Sequence, residues 1–176
     1  MAAQRNASHC GAEAHLMARL AAAVLFVGVS TAPLAAGELL AGRASVIDGD
    51  TIEIHGKRIR LFGIDAPEAR QTCRNGDNSA YRCGQKAALV LEARIGAGVV
   101  SCERKDTDQY GRTVATCRVF GEDLGAWMVG LGWAVASRTY SARYVPAEDL
   151  ARRHKAGLWA GSFITPADWR RDHPAR

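Results

Sequence analysis

Closely spaced cysteine pairs, internal repeats, low-complexity tracts and a second long uncharged run are all missing from this sequence. Without a close cysteine pair there is no structural zinc knuckle to expect. Without repeats or a linker, 176 residues read as one domain. His55, His154 and His173 lack any partner at ligand spacing, so none is assigned to a metal. Aromatics make up only 7% of the chain, and Trp127, Trp133 and Trp159 fall in or beside apolar helical patterns, where packing is the expected role. What is present is a hydrophobic fraction of 48%, enough for a real core, and a net charge of +5. Disorder is therefore not the default, and a polyanionic partner is allowed without being selected.

The one long uncharged run spans residues 20–37, follows Arg19 and ends in small residues before Glu38. A basic flank, an apolar stretch and a small-residue exit are the layout of a cleaved secretory signal, expected here over residues 1–36, with a single domain over 37–176. An uncleaved anchor is the competing reading, because 18 uncharged residues approach spanning length. Dilution by Ala, Gly, Ser, Thr and Pro favours cleavage. The expected product is secreted or periplasmic, monomeric and without stable membrane association. Cys10 would leave with the signal, and Cys73, Cys83, Cys102 and Cys117 would remain as an even set suited to disulfides.

Alternation sets out the strands. Val46, Ile52 and Ile54 alternate with polar neighbours across Asp48-Gly49-Asp50, and Ile59 and Leu61 alternate with Arg58 and Arg60 after His55-Gly56-Lys57. This predicts strands over 43–48, 51–55 and 58–64 in an antiparallel meander. Gly84, Ala87, Ala88, Leu91 and Ile95 recur at helical spacing over 81–95. Strands at 99–103 and 113–120 flank a charged link, helices are predicted over 123–132 and 147–155, and the tail from Thr165 onward reads as polar, basic surface wrapping. The sum is an α+β chain with a mainly β core, a small five-stranded barrel carrying about three helices. Cys102 and Cys117 lie equidistant from a turn centred between Gln109 and Tyr110, so an antiparallel hairpin would oppose them. Opposed α carbons sit about 4.5 to 5.5 Å apart, a separation that a disulfide spans. Cys73 and Cys83 would then form the other bridge, across the irregular loop after Glu68.

Three motifs carry chemistry: Asp48-Gly49-Asp50-Thr51, Arg60-Leu61-Phe62-Gly63-Ile64-Asp65-Ala66-Pro67-Glu68 and Asp108-Gln109-Tyr110-Gly111-Arg112. An Asp-Gly-Asp run alone is most often just a turn. Joined by Asp65 at the end of the next strand, it offers hard oxygens to one divalent cation. Glu68, held by Pro67, is placed to take a proton from water. Arg60 and Arg112 supply guanidinium forks that match phosphate oxygens. Together these are the groups that metal-assisted hydrolysis of a phosphodiester requires.

The same motifs, followed by Gly157-Leu158-Trp159, stand in the order and approximate spacing of the thermonuclease family, whose best-known member is staphylococcal nuclease. The chain resembles that family from about residue 43 to about residue 159, and the fold that the resemblance implies is the five-stranded oligonucleotide-binding barrel. The resemblance implies calcium held by the carboxylates of Asp50 and Asp65 and the carbonyl of Ala66, where family members often carry threonine. It implies Asp48 as the outer acid that orders metal-bound water, and Glu68 as general base. Arg60 and Arg112 would bind phosphate and stabilise the transition state, with Tyr110 and Tyr140 as nucleotide contacts. Arg138 stands where the family often has a second aromatic, which leaves substrate preference open between DNA and RNA. A non-catalytic nucleic-acid-binding barrel is the alternative, and a structural envelope protein a third reading. Asp50, Asp65, Glu68, Arg60 and Arg112 together favour the enzyme, because pure binding has no use for the carboxylates.

Overall fold

Alternating side chains make β1, Leu39–Asp48, a half-buried strand in which Leu40, Ala44 and Val46 pack on the core while Leu39 and Ile47 stay exposed. The structure, a computed structural model, describes residues 39–174, so the signal expected over 1–36, with Cys10, lies outside the described residues. β1 is longer than the expected 43–48 because its two halves serve two partners. Its first half pairs with β4, Val99–Thr107, and its second half with β2, Thr51–Ile54. The change of partner falls beside Gly42, where a Cβ would sit 2.6 Å from His55 Nε2 and 2.7 Å from Ile54 Cγ2.

β3, Lys57–Leu61, follows β2 through His55 and Gly56, both at positive φ, the two-residue turn whose twist suits a hairpin. β4 pairs antiparallel with β5, Thr113–Val119, and β5 closes the barrel by pairing parallel with β3, Arg60 beside Val114. The five expected strands are present in this mixed barrel. Its core holds Ile52, Ile54, Ile59, Leu61, Val100 and Ala115. Cys102 and Cys117 stand opposed in the β4–β5 register with α carbons 4.0 Å apart and are bonded to each other, as are Cys73 and Cys83.

The third strand ends earlier than 64. Gly63 at positive φ turns the chain, and Ile64–Asp65 form a separate two-residue strand paired with Val135–Ala136. Of the helices, α1, Cys83–Ile95, begins two residues later than expected because Ala80–Tyr81 pair with Cys73–Arg74. It buries Ala87, Leu91 and Ile95 on one stripe. α2, Leu124–Gly130, is capped by Asp123, which accepts from the Ala126 N–H, and α3 spans Val145–Arg153. Trp127 and Trp133 pack against the core and Trp159 against Phe163, as expected. A fourth helix, α4, Pro166–Asp172, occupies the tail that had read as surface wrapping. Its start is legible in hindsight: Thr165 accepts from the Asp168 N–H and Pro166 takes the first turn.

Candidate active site

Two glycines let the segments of the site approach closely. A Cβ on Gly49 would lie 2.7 Å from Ala66 Cβ and 2.8 Å from Ala87 Cβ, and one on Gly84 would lie 1.8 Å from the Glu68 carbonyl oxygen. The Asp48-Gly49-Asp50 turn and the 65–68 segment are thereby both laid against α1.

Asp50 is almost fully buried. Its Oδ1 accepts from Arg60 Nη1 at 2.9 Å and from Thr51 Oγ1 at 3.1 Å, and its Oδ2 from the Ala66 N–H at 3.0 Å. Arg60 Nη2 donates to Asp65 Oδ1 at 2.7 Å, so one guanidinium joins both carboxylates. Asp48 braces the turn by accepting the Asp50 N–H at 3.0 Å. Burial pushes Asp50 up to about 7, against Arg60, with the Asp48 and Asp65 charges adding to the rise. For Arg60, burial works against the charge, but Asp50 and Asp65 hold the guanidinium above its ordinary range.

Glu68 is fixed through its backbone by buried Gln71, a residue the sequence did not mark. Gln71 Oε1 accepts the Glu68 N–H at 3.2 Å, its N–H donates to the Glu68 carbonyl at 2.7 Å, and its Nε2 donates to the Ile164 carbonyl at 2.7 Å. That last bond ties the Glu68 loop to the segment leading into α4. From α4, Arg170 Nη1 reaches Asp65 Oδ1 at 2.9 Å and Glu68 Oε1 at 2.7 Å, while Nη2 reaches Asp65 Oδ2 at 2.9 Å. Arg170 was not foreseen, because nothing local in the sequence says where a basic tail docks.

Arg112 is placed differently. Its Nε donates to Asp108 Oδ2 at 2.6 Å and its N–H to Asp108 Oδ1 at 2.9 Å, and its guanidinium lies over the Tyr110 ring. Burial opposes the Asp108 charge, but the Arg112 N–H and side chain hold that carboxyl below its ordinary range. Among the described residues no hydrogen bond or ion pair joins Arg112 or Asp108 to Asp50, Asp65 or Glu68. The parallel pairing of Ile59 with Thr113 nevertheless brings Arg112 alongside the strand that carries Arg60. Tyr110 and Tyr140 are 75% and 72% exposed, and Arg138 is paired with buried Glu148. A groove of about 400 Å³ next to this edge is lined in part by Lys57, Arg58, Arg104 and Arg112.

Among the described residues no group of three or more His, Cys, Asp or Glu side chains forms a ready metal cage. The donor set still suits an open site for a hard cation. Asp50 and Asp65 present only oxygen and converge on one guanidinium. Calcium takes six to eight oxygens, so water and phosphate would have to supply the rest. Ala66 enters the site through its N–H, which holds Asp50.

The family model described as staphylococcal nuclease homologue matches residues 58–161. The chain is 39% identical to the succinoglycan biosynthesis protein ExoI of Rhizobium meliloti over 158 residues, covering 88% of this chain and 83% of that protein. It is 33% identical to a micrococcal nuclease of Shigella flexneri over 176 residues, covering 90% and 93% of the two chains. An uncharacterized endonuclease of Haemophilus influenzae shares 31% identity over 134 residues, covering 72% and 70%.

Proposed function

The chain belongs to the staphylococcal nuclease family, and from that premise we propose that it is an exported, calcium-dependent endonuclease that hydrolyses phosphodiester bonds in DNA and/or RNA and leaves 3′-phosphate ends. The observation that carries this reading is the Arg60 guanidinium forked between the buried carboxylates of Asp50 and Asp65. A binding module has no reason to bury two carboxylates around one cation.

Calcium, held by Asp50, Asp65 and the carbonyl of Ala66, would supply the positive charge that polarises the phosphodiester. Asp48 keeps Asp50 in register and would act as the outer acid that orders metal-bound water. Glu68, pinned by Gln71, accepts a proton from the attacking water as the new P–O bond forms, and the 5′ oxygen leaves on the opposite side. Arg60 spends two of its five N–H donors on the carboxylates, which leaves three for the charge that grows on the phosphate. Arg112 uses one side-chain N–H on Asp108 and keeps its outer nitrogens for phosphate. Tyr110 and Tyr140 are exposed enough to meet bases. The disulfides support an oxidising compartment, as export requires.

The name of the Rhizobium relative suggests a saccharide setting, but Arg60 and Arg112 supply two guanidinium forks that match phosphate oxygens, which favours the phosphodiester.

The test is incubation of the purified protein with single-stranded DNA and RNA in calcium, magnesium or chelator, followed by end-group analysis. We expect cleavage in calcium, weak cleavage in magnesium, which demands a tighter shell and keeps its waters, and none in chelator. Tight binding without cleavage in calcium would select the non-catalytic barrel.

A further inference from the structure

Arg170 spans the two carboxylates that the proposed chemistry needs free, and it comes from a helix beyond the region matched by the family model. Its fork is bidentate on Asp65, and the same Nη1 also bonds Glu68. Asp65 Oδ1 already takes Arg60, so with Arg170 it has two donors, and Oδ2 has one. The bonds to Asp65, working against partial burial, hold the Arg170 guanidinium above its ordinary range. Arg170 is thus a cation seated at the carboxylate pair, with its side chain 42% exposed and able to leave toward solvent. Its delivery is built into the fold. The Gln71 to Ile164 bond anchors the chain just before α4, and the Thr165 cap sets the start of that helix.

We propose that Arg170 is a tethered cation that competes with the divalent metal for Asp65 while covering the general base Glu68, so that α4 sets the metal affinity of the site. The inference rests on the metal-site reading given above. Among the described residues Arg170 is the sole donor to Asp65 Oδ2, while Arg60 stays on Oδ1, so seating a divalent cation on Oδ2 displaces the Arg170 guanidinium, and that guanidinium in turn stabilises the metal-free protein. Arg171, its neighbour on α4, pairs instead with Asp168 and Asp172 and serves as the control for loss of a nearby charge.

The experiment is calcium titration by calorimetry of the oxidised protein, wild type against Arg170→Ala, Arg170→Lys and Arg171→Ala, with melting curves in chelator. We expect Arg170→Ala to bind calcium at least roughly fivefold more tightly, on the scale of a coupling between two ligands of one site. Its metal-free form should melt lower than wild type, Arg171→Ala should match wild type in affinity, and Arg170→Lys should fall between. If Arg170→Ala fails to fold, tighter calcium binding by Arg170→Lys carries the test alone. Equal or weaker calcium binding by the Arg170 variants, with wild-type protein still binding calcium and cutting DNA, overturns this inference and leaves the nuclease reading standing. No calcium binding by any of the four proteins overturns both.

Discussion

Asp50 is where burial and charge oppose each other most directly. Its carboxyl is held above its unfolded value of about 3.9, so the folded protein binds that proton more tightly than the unfolded chain does. The stability this contributes is complete below about pH 4 and is lost as pH rises through about 7. In chelator, Asp50→Asn should therefore flatten the fall in melting temperature between those pH values. Parallel wild-type and variant curves would contradict the assignment. Glu68 makes a different case, because among the described residues its side chain is bonded only at Oε1, and its backbone is fixed by Gln71. We expect Glu68→Gln to keep the fold and to lose roughly two or more orders of magnitude in cleavage rate, the scale for removing a general base. Turnover near wild type in saturating calcium would remove Glu68 from that role.

At the scale of elements, α1 acts as the back wall of the site. Gly84 has no room for a methyl group, since a Cβ would meet the Glu68 carbonyl at 1.8 Å. Gly84→Ala should cost about 1 to 3 kcal/mol of stability, as overpacking does, and should also slow cleavage by moving Glu68. A variant destabilised by that much but with unchanged turnover number would show that Glu68 tolerates the shift. The β4–β5 hairpin carries the second prediction. Replacing Cys102 and Cys117 together by serine should cost about 2 to 4 kcal/mol, read from denaturant unfolding, while the active-site bonds are left intact. Peptide mapping without reductant should recover the Cys73–Cys83 and Cys102–Cys117 pairs, and a Cys73–Cys102 peptide would contradict the register.

At the scale of the whole molecule, the excess of positive charge matters through where it lies. Lys57 and Arg58, on the strand that carries Arg60, share one groove with Arg112, and on the proposed reading a phosphate backbone runs along it toward the carboxylates. Replacing Lys57 and Arg58 by alanine should weaken binding of single-stranded DNA, raise KM more than it lowers the turnover number, and make the affinity less sensitive to salt. An unchanged salt dependence would mean that the nucleic acid runs elsewhere.

Local patterns were enough for the barrel strands, the stripe of α1, the opposed cysteines and the Asp50, Asp65 and Arg60 set. Each depends on residues close in sequence or on a period of two or of 3.6, and a hairpin register follows from distance to its turn. The break at Gly63 was harder to see, because a glycine within an apolar run reads equally well as strand until Val135–Ala136 take up the partner edge. The parallel closure of β3 on β5 had no local signal at all. The same is true of the Gln71 bridge to Ile164 and of Arg170 reaching Asp65 from 105 residues away. These contacts exist because a closed barrel brings distant segments to one rim, where a guanidinium finds whichever carboxylates packing has put there. Sequence by itself supplied the carboxylates and arginines that the proposed chemistry calls on; tertiary structure decided which of them meet, because contacts between distant segments are set by how the elements pack and not by spacing along the chain.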